Sequence, residues 1–121
     1  MTQQKKRPIF DDVWASMGLD QHLSAKAVRM RKATGELMDK AEQDLLSYTE
    51  AAEFPSWIIP KIRELGISGL SIKGYGSPGL STLESGAIAY EFAKRDASIG
   101  TFFVVHVGAG MSVIEAFGDE E

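Results

Sequence analysis

An all-α helical bundle with a Gly-rich loop between its helices is the fold this sequence predicts, and three observations predict it. Apolar residues recur at helical spacing through residues 20–48. Two further segments are bounded by proline, serine and glycine where helices start and stop. A final stretch, Ala97 to Ile114, has no Asp, Glu, Lys or Arg and no apolar–polar alternation, which favours a buried helix over a half-exposed strand.

Residues 1–18 read as a weakly structured leader, with Asp11, Asp12, Ser16 and Gly18 suited to turns and caps. Lys5-Lys6-Arg7 reads as a short solvated tail. The domain proper takes residues 19–121. In residues 20–48, Leu23, Ala27, Met30, Leu37, Ala41, Leu45 and Tyr48 form one stripe. Charged residues from Lys26 to Glu42 fill the other face. Gly35 costs a helix about 1 kcal/mol relative to alanine, so a break or bend is expected there or near Gln43. Glu53-Phe54-Pro55 is a stop, because proline disfavours helical backbone at the residue before it. Ser56 is then the expected cap of a short helix from Trp57 to Leu65, with Pro60 in its first turns and Gly66 closing it.

Residues 67–80 read as an ordered loop, rich in Gly and Ser and anchored by Ile67, Leu70, Ile72 and Tyr75. Ser81 or Thr82 caps a third helix, and Glu84 stands where the acid of a capping box belongs if Ser81 is the cap. That helix runs to about Arg95, with Lys94 and Arg95 offsetting the dipole of its last turn. In residues 97–117, Thr101 to Val105 has strand composition and Gly108-Ala109-Gly110 would serve as a hairpin turn. The length without charge favours a buried helix, stopped at Gly118.

Composition narrows the functional classes. The chain has 121 residues, 44% apolar and 25% charged, the proportions of one small globular domain. A formal net charge of −4 with no basic stripe argues against nucleic acid as a partner. There is no cysteine, so disulfides, zinc–thiolate sites and thiol chemistry are excluded. His22 and His106 stand far apart and no metal site is expected. The charge-free run is interrupted by Gly100, Gly108, Gly110, Ser98, Thr101, His106 and Ser112. It is therefore read as core rather than as a membrane span. A soluble cytoplasmic protein is the expectation.

Gly74, Gly76 and Gly79 spell G-x-G-x-x-G, and Asp96 follows Gly76 at about the distance of a ribose-binding acid. The context does not match. The segment before it is broken by Gly69, Pro78 lacks the N–H that a phosphate would use, and Asp96 follows a helix end rather than a strand.

More residues are accounted for another way. Phe54-Pro55, Leu65-Gly66-Ile67-Ser68-Gly69 and the run Lys73 to Ser81 come first. Glu91 to Ser98, Val105-His106, Gly110-Met111 and Gly118 follow in order. This succession resembles the N-terminal helical domain of the acyl-CoA dehydrogenase and acyl-CoA oxidase flavoproteins. Ile72 to Ser81 is most similar to the glutaryl-CoA dehydrogenase and short-chain acyl-CoA oxidase branch.

The resemblance implies a helical bundle that precedes a β-domain and a second helical bundle. It implies an FAD cofactor held between those later parts, with help from a neighbouring subunit. The implied reaction removes a proton from Cα and a hydride from Cβ of an acyl-CoA thioester, with a glutamate base from later in the chain. Neither the β-domain, the Leu-Thr-Glu-Pro type motif nor the base is found here. The expected role is thus an incomplete domain, inactive alone, which needs its missing domains or homo-oligomeric partners. A truncated protein, a short natural one and one piece of a split gene all remain open, as does a stand-alone helical module for self-association or interaction.

By the same resemblance the acyl-chain cavity is walled by Gly100, Thr101, Val104 and Gly108, whose spacing puts them on one helical face. The competing reading is that the glycines only permit close packing. The glutaryl-specific arginine would stand at Gly100, so a dicarboxylic substrate is not expected. No catalytic residue and no residue holding the flavin is assigned to this chain. His106 is expected in the core or lining the cavity, Lys73 and Tyr75 in anchoring the loop. Glu91 and Asp96 are expected in local caps or pairs, Trp14 and Trp57 in packing.

Overall fold

The computed structural model describes residues 13–120, and the basic tail lies outside them. The order is α1 (Val13–Ser16), a 3-10 turn (Leu19–His22), α2 (Ala25–Ala51), α3 (Ile58–Glu64), β1 (Lys73–Gly74), β2 (Ser77–Pro78) and α4 (Thr82–Ala93). The last helix runs from Ala97 to Phe117. Among the described residues the strands amount to one short antiparallel hairpin, so the fold is all-α. The stretch read as leader includes α1, a single helical turn.

Helix α2 has 27 residues and is about 40 Å long at 1.5 Å per residue. Ser24 caps its start by accepting from the Ala27 N–H at 3.2 Å. Ala27, Thr34, Gly35, Met38, Ala41 and Leu45 form its buried stripe. The helix passes through Gly35 and Gln43 without a break. A side chain at Gly35 would place its Cβ 3.1 Å from Glu91 Oε2. The glycine is there for clearance rather than for bending. The helix stops before Pro55 is reached. Ala52 takes a left-handed conformation (φ 54) and donates to Thr49 O, while Glu53 donates to Tyr48 O. This pair of bonds satisfies the last carbonyls.

Helix α3 starts at Ile58 without a side-chain cap, so the expectation for Ser56 is corrected. The reason is the supply of donors. The Ile58 and Ile59 N–H groups already bond Pro55 O and Ser56 O, and Pro60 has no N–H to satisfy. Helix α4 does carry the expected capping box, with Ser81 as its cap. Glu84 also reaches further than the sequence suggests. One carboxylate oxygen accepts from Ser81 N–H and the other from Ser24 N–H, each at 2.9 Å. One side chain thus ties together the starts of α2 and α4.

From there the two helices run in the same direction. Ser24 meets Glu84, Arg31 meets Glu91 and Asp39 meets Arg95. Glu91 is 2% exposed and sits at the centre of this contact. Its carboxylate receives Arg31 at 2.6 Å, Arg95 at 2.9 Å and Lys94 at 3.0 Å. Asp20 and Asp39 hold the outer sides of Arg31 and Arg95. Burial opposes the charge on Arg95, but Asp39 and Glu91 more than offset it, and its pKa is raised. Lys94 and Arg95 therefore lie past the end of α4 and turn back to Glu91 rather than serving its last turn. Trp14 of α1 lies over the cluster, donating to Asp20 at 2.9 Å and stacking near Arg31 and Tyr90.

The apolar core fills the space between α2, α3, α4 and the last helix. Met38, Ile58, Ile67, Leu70, Ile88, Phe92, Ile99 and Phe103 are its large buried side chains. The Phe92 and Phe103 rings stand 4.5 Å apart. Ile67, Leu70 and Ile72 anchor the loop as expected, whereas Tyr75 is 79% exposed.

Two outcomes follow. Glu91→Ala leaves three cations without their central partner and should cost about 3–5 kcal/mol of unfolding free energy, read from urea denaturation. A loss below about 1 kcal/mol, the scale of a surface pair, would contradict this. Hydrogen bonds from Ser24 and from the Ser81 backbone lower the Glu84 pKa from 4.5 to about 2. A lowered acid pKa gives stability that is present above the unfolded value and lost as pH falls through the folded one. Glu84→Gln should therefore be less stable at pH 7 by about 1 kcal/mol, and the difference should close between pH 4.5 and about 2.

Candidate functional site

The last helix begins at Asp96, whose carboxylate accepts from the Ile99 N–H at 2.9 Å. It packs along one side only. Ile99, Gly100, Phe103 and Val107 are buried. At Gly100 a Cβ would lie 2.8 Å from Ala93 Cα, so this glycine lets the two helices touch. Thr101, Val104 and Gly108 face outward and are exposed. Thr101 Oγ1 donates to Ala97 O, and nothing lies within 4 Å of a Cβ built at Gly108. The four residues predicted to wall a cavity therefore divide. Three share an open face, and Gly100 belongs to the packed seam.

This helix corrects two expectations. It is helical throughout, with no hairpin at Gly108-Ala109-Gly110, but only 22% of its most apolar window is buried. Lack of charge does not require burial by the same domain, and α4 covers only one side. By length and composition the helix could also cross a membrane, a test that core helices pass as well. His106 is exposed, which excludes the core among its two expected places, and its ring stacks on Phe102 at 6.1 Å. Phe102 in turn meets Phe54 at 5.0 Å. Residues Val105–Met111 form a π-helical segment within the otherwise α-helical run, a feature often found where helices carry function.

The glycine loop is a hairpin tip. Gly74 pairs with Ser77, and both central residues, Tyr75 (φ 52) and Gly76 (φ 76), are left-handed. That is the geometry of a type I′ turn. No helix N-terminus follows it directly, since Gly79 and Leu80 intervene before the Ser81 cap. The loop therefore does not fit the pyrophosphate of a dinucleotide or of FAD. The Tyr75 hydroxyl donates to Glu120, and this bond raises the phenol pKa, with a smaller contribution from burial. Between the hairpin and the end of the last helix lies a cleft of about 580 Å³ lined by Ile72, Lys73, Tyr75, Met111, Ile114 and Glu120, among others.

Residues 24–121 match the family model described as acyl-CoA dehydrogenase, N-terminal domain. The chain belongs to the acyl-CoA dehydrogenase family. This family is generally FAD-dependent, and the all-α bundle agrees with its N-terminal domain. The match begins at Ser24, so α1 and Trp14 precede it. Two contacts are not signalled in the sequence, that of Arg31 with Glu91 and the second bond of Glu84, from Ser24. Both join residues 60 apart along the chain, and no local pattern marks such a pairing.

The two glycines should respond oppositely to alanine. Gly100→Ala drives a Cβ into Ala93 and should destabilise the domain by about 1–3 kcal/mol. Gly108→Ala meets open space and should stabilise it by up to about 1 kcal/mol. Thermal unfolding of both variants reads the sign directly.

Proposed function

We propose that this chain is the N-terminal domain of an FAD-dependent acyl-CoA dehydrogenase-like oxidoreductase that introduces an α,β double bond into acyl-CoA thioesters. Its contribution is part of the wall of the acyl-binding cavity. The observation that carries the reading is the uncharged, outward face of Thr101, Val104 and Gly108 on a helix anchored along its opposite side. An acyl tail is apolar, and its transfer from water needs a surface that offers no competing charge. Thr101 meets that condition because its hydroxyl is already satisfied within the helix.

The same reading places flavin and base outside this chain, so no residue here touches the reacting carbons. It includes association with further domains or a homo-oligomer, and a soluble cytoplasmic protein. Within the family we favour the branch of glutaryl-CoA dehydrogenase and short-chain acyl-CoA oxidases, on the likeness of Ile72 to Ser81. A monocarboxylic substrate stays in this reading through the resemblance alone, since Gly100 faces the Ala93 seam and not the open face. A second reading, a stand-alone module for self-association, draws support from Val113, Ile114 and Phe117, which are apolar and exposed.

Dye-linked dehydrogenation of saturated acyl-CoAs of graded length, with the product of the complete gene, tests the cavity. Gly108→Leu should lower kcat/KM for the longest accepted chain by about tenfold or more, since one misplaced methylene is worth about 10–200-fold. The shortest substrate should stay within about twofold. An unchanged length profile would remove Gly108 from the cavity wall. Sedimentation that shows concentration-dependent dimers without any acyl-CoA turnover would favour the second reading.

A further inference from the structure

We propose that the outer face of α2 is the contact surface for a second copy of this chain, with the two α2 helices antiparallel about a two-fold axis between Asp39 and Lys40. The surface lies on α2 and not on the last helix, so it does not rest on the acyl-cavity reading. What points to it is where α2 carries its charge. From Ala25 to Gly35 there are four basic residues, Lys26, Arg29, Arg31 and Lys32, and no acid. From Ala41 to Ala51 there are three acids, Glu42, Asp44 and Glu50, and no Lys or Arg. A solvated helix gains from acids in its first turn and from bases in its last, and α2 has neither. Contacts within the chain account for two of the cations, since Arg31 turns inward to Glu91 and Lys26 donates to Pro78 O. Arg29, Lys32 and Glu50 are different. They are exposed on the side away from the buried stripe and make no ion pair with a described residue.

An antiparallel second copy is the arrangement that satisfies both ends at once. Positions equally far from the axis come level, so Arg29 meets Glu50, Glu36 meets Gln43 and Asp39 meets Lys40. Two-fold symmetry makes each of these contacts twice. All six residues are exposed, and Asp39 gives only one carboxylate oxygen to Arg95. A parallel pair would set basic end against basic end, so the charges also fix the orientation. Leu46, 59% exposed at the margin of this face, adds apolar area. One pair of helices about 40 Å long buries less than a standard interface, so the dimer is weak and depends on concentration.

Sedimentation velocity of the chain at up to about 1 mM should show a monomer–dimer equilibrium in about 20 mM NaCl. Its Kd should rise at least about tenfold in about 500 mM NaCl, where the charges are screened. Arg29→Glu and Glu50→Arg should each raise Kd by about tenfold or more. The double variant that carries both should return to within about threefold of the original, because the exchanged charges are again complementary. Each substitution places at its end the sign that the helix dipole favours. None should lower Tm, so a lost dimer is not an unfolded chain. A monomer at every concentration in low salt overturns the proposal. So does a dimer indifferent to both single substitutions, or a double variant as weak as either single one. Phe117→Glu, on the last helix, should leave the dimer unchanged. If that substitution dissolves it, association runs through the apolar surface of the last helix and the proposal fails.

Discussion

The structure depends on one buried carboxylate. Glu91 lies on the inner face of α4, against α2, where water cannot solvate it, and an uncompensated charge there would not be tolerated. Three cations answer it. Arg31 comes from α2, while Lys94 and Arg95 come from the turn after α4. The cluster is held in place from outside by Asp20 and Asp39. Such a cluster adds little net stability over apolar packing of the same volume. It does demand one arrangement, because each charge must find its partner. Gly35 belongs to the same constraint, since a side chain there would crowd the carboxylate.

The cluster sets the axial position of α2 against α4, and Glu84 repeats that setting at the helix starts. The geometry of the last helix follows. Asp96 caps it directly after the cation-bearing turn, and Gly100 lies against Ala93. Only one side of the helix can then face the core. The uncovered side, with Thr101, Val104 and Gly108, is a consequence of how α4 is held. The cavity wall proposed for this face would need rigid support behind it and nothing in front. The ion cluster and the Phe92–Phe103 contact supply the support.

Much of the fold was legible in local chemistry. The stripe of α2, the Ser81–Glu84 box, the Gly66 stop and the helical nature of residues 97–117 rest on interactions within a few residues of one another. The errors also have a common origin. Serine commonly caps a helix, but at Ser56 two backbone carbonyls take the N–H groups that its side chain would bond. Lys94 and Arg95 suit the dipole of α4 by position, but the buried Glu91 carboxylate is the stronger attraction and takes both. Lack of charge in residues 97–117 points to a buried helix only if this domain alone does the burying, and α4 covers one side. For the candidate site, three of four residues share the open face, and Gly100 falls to the seam because its neighbour is Ala93, which no helical spacing reveals.

The sequence by itself determined the long helices, their main stops and the family, since periodicity, caps and the order of short motifs are properties of contiguous residues. The tertiary structure alone decided that Glu91 gathers Arg31, Lys94 and Arg95, that Glu84 joins two helices, and that the glycine loop is a hairpin tip bonded to Glu120. It alone decided which side of the last helix is left uncovered and where its π segment lies. These are contacts between residues distant along the chain. Their energies depend on burial and on the partners that packing supplies, and neither quantity is written in any local stretch of sequence.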